Sequence, residues 1–148
     1  MFFMAIKFEL RDMTDAEYKL ELAGFDEHAL EFGNPPDKDE RLGFVATEEG
    51  KLVGASSGLA QKINKQYGNY FYLSDLFIEK KYRKQGYGKK LLILLEDKVR
   101  NLGIKHMWTW TAAYEAETFY LKHGYKGFVR FESYYLSGHA RVGLIKDL

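Results

Sequence analysis

The chain has 148 residues, of which 46% are apolar and 16% aromatic, and its net charge is only +1. This length is typical of one domain and the apolar fraction excludes an intrinsically disordered chain, so we expect residues 1–148 to form a single domain. The sequence contains no cysteine, which excludes disulfides, thiolate metal sites and a cysteine nucleophile.

Charge is distributed unevenly along the chain. Residues 1–60 carry 6 lysines and arginines against 13 aspartates and glutamates, and residues 61–148 carry 16 against 8, giving net charges of −7 and +8. The basic second part is typical of a protein that binds an anion, although solvated surfaces would give the same counts. The N-terminus lacks a leader-like charge pattern and an apolar run of membrane-spanning length, which favours a cytoplasmic protein without membrane contact.

The N-terminal part of the chain predicts a strand followed by a helix. Apolar and polar residues alternate over residues 6–10, as they do in a strand with one buried face. Thr14 and Glu17 have the spacing of a capping box, so we expect a helix to begin there and to continue to about Phe32. Pro35-Pro36 then indicates a loop.

Two hairpin strands and a central strand are predicted next. Residues 43–60 contain two short apolar runs separated by Glu49-Gly50, and glycine supplies the positive φ angle that a tight hairpin turn requires. Tyr70 to Ile78 is rich in aromatic and branched side chains, which is typical of a strand. This strand ends at a charged stretch, Glu79 to Lys81.

The following segment predicts an amphipathic helix from Gly88 to Asn101, ended by a left-handed residue at Gly103. Its apolar side chains fall on one face, and most charged ones, including Glu96, are expected elsewhere. The apolar positions are Leu91, Leu92, Leu95, Val99 and Leu102.

A strand, a helix and a hairpin complete the chain. Ile104 to Trp110 predicts a strand and Ala113 to His123 a second amphipathic helix. The terminal hairpin joins Tyr125–Tyr135 to Arg141–Ile145 through a turn at Ser137-Gly138. The order of elements predicts an α/β fold with a sheet of mixed direction, in which the long helix connects two parallel strands by a right-handed crossover.

The loop before that helix carries the features of an anion site. Six lysines and arginines lie within residues 80–90. Unsatisfied backbone N–H groups and the positive end of the helix dipole favour an anion at a helix N-terminus. Gly86 and Gly88 let phosphate oxygens approach these N–H groups, and nest conformations need their permissive φ. The pattern predicts a phosphate or pyrophosphate site, although basic glycine-containing loops also occur without one.

Two common nucleotide motifs are excluded. The dinucleotide pattern G-x-G-x-x-G needs glycine at the position of Leu91, and a P-loop needs Gly-Lys followed by serine or threonine.

Arg83, Gly86 and Gly88 form an R-x-x-G-x-G pattern that resembles the acetyl-CoA signature of GNAT acetyltransferases. In that family the signature follows the fourth strand and opens a long helix, after which come a fifth strand and a helix with a Y-x-x-x-G-[FY] motif. Here that motif is Tyr120 to Tyr125, and the surrounding order of elements is similar. The resemblance extends over essentially the whole chain and is strongest from Tyr70 to Tyr125.

The resemblance implies a mixed, largely antiparallel central sheet of about six to seven strands, flanked by helices. The parallel fourth and fifth strands would splay apart beyond a bulge. It also implies an N-acetyltransferase that uses acetyl-CoA as cosubstrate and acetylates a primary amine, here of a small molecule. The sequence identifies neither the amine nor the oligomeric state, a monomer or a homodimer.

The resemblance also assigns the acetyl-CoA site. The pantetheine arm would add like a strand to the main chain of Leu76, Phe77 and Ile78, and an N–H near Phe77 or Ile78 would stabilise the oxyanion. The diphosphate would bind the loop and the start of the helix, which comprise Arg83, Lys84, Gln85, Gly86, Tyr87, Gly88 and Lys89.

For catalysis, the resemblance implies that Tyr120 donates a proton to the leaving thiolate, with Tyr114 as a less favoured substitute. The glutamate that many GNAT enzymes use as a base is replaced by Tyr72. Asp75 is the nearest carboxylate, and a water relayed by Ser74 or Tyr72 is an equal alternative. Without cysteine, direct attack of the amine in a ternary complex is favoured over transfer through the enzyme.

Two other functions also fit parts of the sequence. A CoA-binding domain without activity would also explain the missing glutamate. A nucleic-acid-binding module would use the basic stretch with stacking tyrosines, but the near-neutral charge and acidic first part argue against it. We expect no metal site, because the four histidines lack ligand spacing with a carboxylate. Trp108 and Trp110 could line an acceptor pocket, although core packing is favoured.

Overall fold

The computed structural model describes residues 5–34 and 38–148, and the chain divides into two compact units, residues 1–37 and residues 38–148. The expectation of one domain over the whole length stays a prediction. Within the described residues, no helix has the length and apolar character needed to cross a bilayer.

The first unit contains one helix, α1, which spans Asp15–Glu31 and confirms the predicted helix. Thr14 caps it, and both hydrogen bonds of the capping box to Glu17 are present. Arg11 donates to both carboxylate oxygens of Glu17 at 2.8 and 2.9 Å, and these bonds lower the pKa of Glu17 to about 2.

The strand predicted over residues 6–10 is wrong, because residues 5–13 contain no strand. None of the described strands pairs with this segment, and alternation alone cannot supply partners for its backbone N–H and C=O groups. The predicted loop at Pro35-Pro36 lies outside the described residues.

The second unit is built on a six-stranded sheet with the order β1-β2-β3-β4-β6-β5. Strands β3 and β4 are parallel, and all other neighbours are antiparallel. This confirms the predicted mixed, largely antiparallel sheet with one parallel pair. The strands are β1 Lys38–Glu48, β2 Lys51–Ile63, β3 Gln66–Ile78, β4 His106–Ala112, β5 Lys126–Phe131 and β6 Arg141–Asp147.

Tight turns join the first three strands. Glu49 and Gly50 both have positive φ, 48° and 76°, as the predicted hairpin between β1 and β2 requires. A second turn of the same kind, at Asn64 and Lys65 with φ of 50° and 70°, joins β2 to β3. This turn contains no glycine, so the sequence carries no hairpin signal there. β3 begins at Gln66 rather than at the predicted Tyr70.

Helix α2 spans Tyr87–Asn101 and connects β3 to β4 as predicted. One face of the helix packs with residues of β3 and β4 in the hydrophobic core, and Gly103 has the expected positive φ, 83°. The core residues on these elements are Leu92, Leu95, Val99, Phe71, Leu73 and Met107.

Helix α3 spans only Glu117–Lys122 and is shorter than the predicted Ala113–His123. Residues 113–116 form turns instead, and Ala116 provides no side-chain cap for the helix. The terminal hairpin is confirmed as β5 and β6, but β5 ends at Phe131 rather than at the predicted Tyr135. Residues 132–140 connect the two strands, and the predicted turn lies within them, where the Gly138 N–H bonds to the Tyr135 carbonyl at 2.8 Å.

The sheet of the second unit has two chemically different faces. On the helix face, Phe71, Leu73, Met107 and Thr109 are buried with α2 and α3. On the opposite face, which we call the aromatic face, rings stack across neighbouring strands, as Tyr72 and Trp108 do at 4.5 Å. The aromatic face comprises Tyr70, Tyr72, Trp108, Trp110, Phe128 and Phe131.

Glu96 is buried, contrary to the expectation that the charged residues of α2 lie outside its apolar face. Its side chain is 3% exposed, and its Oε2 atom lies 2.7 Å from Nζ of Lys146 on β6. Burial raises the pKa of the neighbouring Tyr125, and the charge of Glu96 adds to that rise. Lys146 follows Glu96 by 50 residues in the sequence, and its positive charge offsets the charge of the buried carboxylate. Helical periodicity cannot predict such a distant contact.

We expect Lys146→Met to lower the free energy of unfolding by about 3 kcal/mol, because it leaves the Glu96 carboxylate buried without a counter-charge. Urea denaturation measures the difference. Lys126→Met on the exposed part of β5 is the matched control and should change stability by less than about 0.5 kcal/mol. Equal effects of both substitutions would show that the ion pair is not needed for stability.

Candidate active site

A cavity of about 640 Å³ opens where β3 ends and α2 begins. Three parts of the chain form its walls: the end of β3, the segment from Tyr82 to Lys89, and the residues around the start of α3. The lining residues are Leu76, Ile78, Tyr82, Arg83, Lys84, Gly86, Tyr87, Gly88, Lys89, Glu115, Ala116 and Phe119.

The N-terminus of α2 presents free backbone donors to this cavity. The first bond within the helix runs from the Lys90 N–H to the Gly86 carbonyl at 3.1 Å. The N–H groups of Tyr87, Gly88 and Lys89 therefore have no acceptor in the helix, and no side chain caps it. All three residues line the cavity, so a bound anion would meet main-chain donors and the positive end of the helix dipole.

Glycine is favoured at Gly86 and at Gly88 for different structural reasons. Gly86 has φ of 84°, a left-handed conformation in which a side chain is strained. Gly88 is helical, and a Cβ atom there would meet only Ile78 and Phe119, at 3.7 and 3.9 Å. Only Gly86 therefore needs the permissive φ of glycine. Gly88 instead keeps open the space between Ile78 and Phe119.

Basic side chains line the cavity, as the sequence predicted. Arg83 donates from Nε to the Ile78 carbonyl at 3.0 Å and so joins the loop to the end of β3. Lys84 and Lys89 line the cavity with it, against a single carboxylate, Glu115. Among the described residues, no cluster of histidine, aspartate and glutamate side chains could hold a metal ion.

Two of the predicted acetyl-CoA-binding residues lie outside the cavity lining. Gln85 donates its side-chain amide to the Lys81 carbonyl at 3.2 Å instead. Phe77 is half exposed, and strand alternation directs its side chain away from Leu76 and Ile78. Conversely, sequence analysis missed Tyr82, Glu115, Ala116 and Phe119. The last three come shortly before the Y-x-x-x-G motif, and this proximity is the one feature of the sequence that could have identified them as site residues.

The parallel strands β3 and β4 separate after a short contact. They pair only from Tyr70–His106 to Tyr72–Trp108. Just beyond, Ser57 pairs with Asp75 and Gly58 with Leu73, so Ser74 is an extra residue in β3 and forms a bulge. The splay and the bulge implied by the resemblance are both present.

The splay leaves part of the β3 main chain without a strand partner. The Glu79 N–H bonds to the Val53 carbonyl at 2.8 Å, which fixes the alternation of the β2–β3 ladder. By that alternation Phe77 directs its N–H and C=O toward β2, whereas Leu76 and Ile78 direct theirs toward the gap. Of the two predicted oxyanion donors, the geometry thus favours Ile78.

Tyr120 lies beside the start of the gap, on the helix face. The Thr109 hydroxyl donates to the Leu73 carbonyl at 2.8 Å across the diverging strands, and the Tyr120 hydroxyl is hydrogen-bonded to Thr109. Tyr120 is only 4% exposed, and burial raises its pKa to about 12. The phenol is therefore protonated at neutral pH and can donate a proton.

The other candidate catalytic residues lie on the opposite, aromatic face. Tyr72 stacks on Trp108, and these two residues form the last register pair before the gap. The Ser74 hydroxyl donates to Oδ2 of Asp75 at 2.6 Å, and Arg41 contacts the same oxygen at 3.2 Å. The bulge thus keeps Ser74 and Asp75 together on one side of the sheet, and Tyr120 is on the other.

The sequence matches the family model described as Acetyltransferase (GNAT) family over residues 8–125. An acetyltransferase from Bacillus cereus has a similar structure, with a TM-score of 0.79 at 22% identity, covering 95% of this chain and 98% of that one. An Agrobacterium tumefaciens protein assigned as an acetyltransferase gives 0.75 at 20% identity, covering 97% and 100%.

A structure of aminoglycoside 6'-N-acetyltransferase complexed with coenzyme A gives a TM-score of 0.60 at 21% identity, covering 82% of this chain and 78% of that one. At such identities these likenesses show the fold. No curated protein matches the chain by sequence.

Alanine substitutions at the two glycines should have different effects on stability. Gly86→Ala should lower the free energy of unfolding by about 1 kcal/mol, because alanine is strained at positive φ. Gly88→Ala should leave stability unchanged or raise it by up to about 1 kcal/mol, because the site is helical and has room for a methyl group. Urea denaturation tests both, and a larger loss at Gly88 than at Gly86 would contradict this geometry.

Proposed function

The chain belongs to the GNAT acetyltransferase family, and on that premise we propose that it transfers an acetyl group from acetyl-CoA to a primary amine of a small molecule. The observation that carries the proposal is the single cavity that joins the free N–H groups of α2 to the open edge of β3. Acetyl-CoA has the matching chemistry, a diphosphate at one end and an amide-containing arm that ends in a thioester.

The diphosphate would bind at the N-terminus of α2. The N–H groups of Tyr87, Gly88 and Lys89 supply main-chain donors, and Arg83 and Lys84 supply positive charge at the cavity wall. Gly88 lets phosphate oxygens lie close to the helix, since it adds no side chain between Ile78 and Phe119. A protein of similar fold has been solved in complex with coenzyme A, which supports coenzyme A as the class of ligand.

The pantetheine arm would continue along the gap. The N–H and C=O of Leu76 and the N–H of Ile78 point into it and can pair with the amides of the arm, as an added strand would. The Ile78 carbonyl already accepts a hydrogen bond from Arg83. This pairing would align the thioester beside Thr109 and Tyr120, where β3 and β4 separate. Holding the two reactants together in this way can supply about 7–11 kcal/mol of the rate acceleration.

Transfer would be direct. The neutral amine attacks the thioester carbonyl, a C–N bond forms, the C–S bond breaks, and the thiolate of CoA leaves with a proton. The chain has no cysteine that could carry an acetyl-thioester intermediate. A β3 main-chain N–H that points into the gap would stabilise the oxygen of the tetrahedral intermediate. Of the two such groups, that of Leu76 is nearer to Leu73 and Thr109 along the strand than that of Ile78.

Tyr120 would donate the proton to the leaving thiolate, since its buried phenol has a pKa of about 12 and stays protonated. The proton lost by the amine would leave through the aromatic face. Asp75 is one acceptor for it, and a water relayed by Ser74 or Tyr72 is the other. The acceptor amine would therefore approach from the aromatic face, and acetyl-CoA from the helix face.

Acetyl-CoA binding tests the cavity assignment. We expect Gly88→Val to lower acetyl-CoA affinity in calorimetry at least about tenfold, because the isopropyl group fills the space between Ile78 and Phe119. The control is Gly24→Val, which changes a helical glycine with open space around it in α1. Unchanged affinity of a folded Gly88→Val protein would place the site elsewhere.

Activity separates an enzyme from a CoA-binding domain without activity. The direct measurement is the release of free thiol from acetyl-CoA in the presence of polyamines, amino acids, aminoglycosides or peptide N-termini. The proposed function predicts release above background with at least one amine. Tight acetyl-CoA binding with no release across the whole panel would favour the inactive alternative.

Tyr120→Phe should lower turnover by about a hundredfold and leave acetyl-CoA affinity nearly unchanged, because only the proton donor is removed. Tyr125→Phe is the matched control. Tyr125 is also a buried tyrosine, but its hydroxyl contacts the Met107 sulfur at 3.1 Å and lies in the ion-pair cluster of Glu96. If Tyr120→Phe retains wild-type turnover, the residue has a packing role only.

A further inference from the structure

Arg141, the first residue of β6, is held rigidly on the aromatic face. Its guanidinium carbon lies 5.3 Å from the ring centre of Trp110 and 5.2 Å from that of Tyr134. Its Nη1 atom also donates to the Tyr134 hydroxyl at 3.0 Å. Two aromatic rings and one hydrogen bond therefore fix the orientation of the charged group.

Within the described residues, Arg141 differs from most other arginines because it has no carboxylate partner. Ion pairs with carboxylates are made by Arg11, Arg41, Arg100 and Arg130. A guanidinium has five N–H donors, and its fork geometry matches a carboxylate in two parallel bonds. Arg141 uses one of these N–H donors in its hydrogen bond to Tyr134, so the others can bind an external anion.

The location of Arg141 connects it to the proposed reaction. The guanidinium lies over the ring of Trp110. Trp110 comes two positions after the last β4 residue that pairs with β3. The Trp110 ring contacts Phe128 and Phe131 of β5, so the guanidinium lies over β6, the neighbour of the strand β4 that forms one side of the gap. Asp75 lies on the other side of the gap and on the same face of the sheet.

We propose that the acceptor amine carries a carboxylate and that Arg141 binds this carboxylate during acetyl transfer. The inference rests on the proposed function, and it assigns the substrate class as primary amines of the amino-acid type. With its carboxylate on Arg141, an amino acid lies on the aromatic face, the side from which its amine approaches the gap in the proposed reaction. Arg141 acts on specificity here and takes no part in proton transfer.

Matched acceptors test the proposal. We expect thiol release from acetyl-CoA to be at least about tenfold more efficient, in kcat/KM, with amino acids than with their decarboxylated counterparts. The pairs are phenylalanine with phenethylamine, leucine with isoamylamine, and lysine with cadaverine. Because wild-type protein suffices for this comparison, the result does not depend on whether any variant folds.

Arg141→Gln should abolish that preference. Its kcat/KM for the preferred amino acid should fall at least about thirtyfold through KM, while the KM for acetyl-CoA and the weak reaction with the decarboxylated amine stay within about threefold. Arg130→Gln is the matched control. Arg130 lies in the same hairpin, but it pairs with Glu117 and Glu132 and should leave the preference intact.

The outcomes separate this inference from the function on which it rests. Efficient acetylation of amines without a carboxylate, with no effect of Arg141→Gln, would overturn the role of Arg141 and leave the acetyltransferase activity standing. If acetyl-CoA binds but none of the amines with or without a carboxylate releases thiol, both the proposed function and this inference fail.

Discussion

Strands β3 and β4 share only three register pairs, from Tyr70–His106 to Tyr72–Trp108, before they separate. A parallel ladder that stops inside a sheet leaves backbone N–H and C=O groups without strand partners, and these groups need hydrogen bonds from another source. The Thr109 hydroxyl supplies one, to the Leu73 carbonyl. Arg83 supplies another, to the Ile78 carbonyl. The main chain that stays open, at Leu76 and at the Ile78 N–H, would allow an extended ligand arm to enter the sheet, and the proposed chemistry depends on it.

The gap also connects two surfaces that are otherwise separated by the sheet. On the helix face it meets the cavity at the start of α2, where free N–H groups and basic side chains favour a diphosphate. On the aromatic face it is flanked by Asp75, and Arg141 lies on the same face, on β6 beyond β4. A cosubstrate and an acceptor can therefore approach the same point from opposite sides. Tyr120, buried and protonated, lies on the side of the leaving group.

Local patterns predicted the parts of the structure that local interactions determine. The capping box at Thr14, the apolar face of α2 and the positive φ of Gly86 each depend on residues close in sequence. Features that depend on distant contacts were missed or wrong. The alternating residues 6–10 have no partner strand, and Glu96 is buried because Lys146 arrives from β6. The family resemblance supplied the splay, which no periodicity could indicate, but the stacked position of Arg141 has no signal in the sequence.

The central claim is that one ligand spans the cavity and the gap. The most direct measurement is a crystal structure of the protein with acetyl-CoA. The account predicts diphosphate density against the N–H groups of Tyr87, Gly88 and Lys89, the pantetheine arm paired with the main chain of Leu76 and Ile78, and the thioester sulfur near the Tyr120 hydroxyl. Acetyl-CoA bound away from the start of α2, or a β3–β4 gap left empty in a saturated crystal, would contradict it.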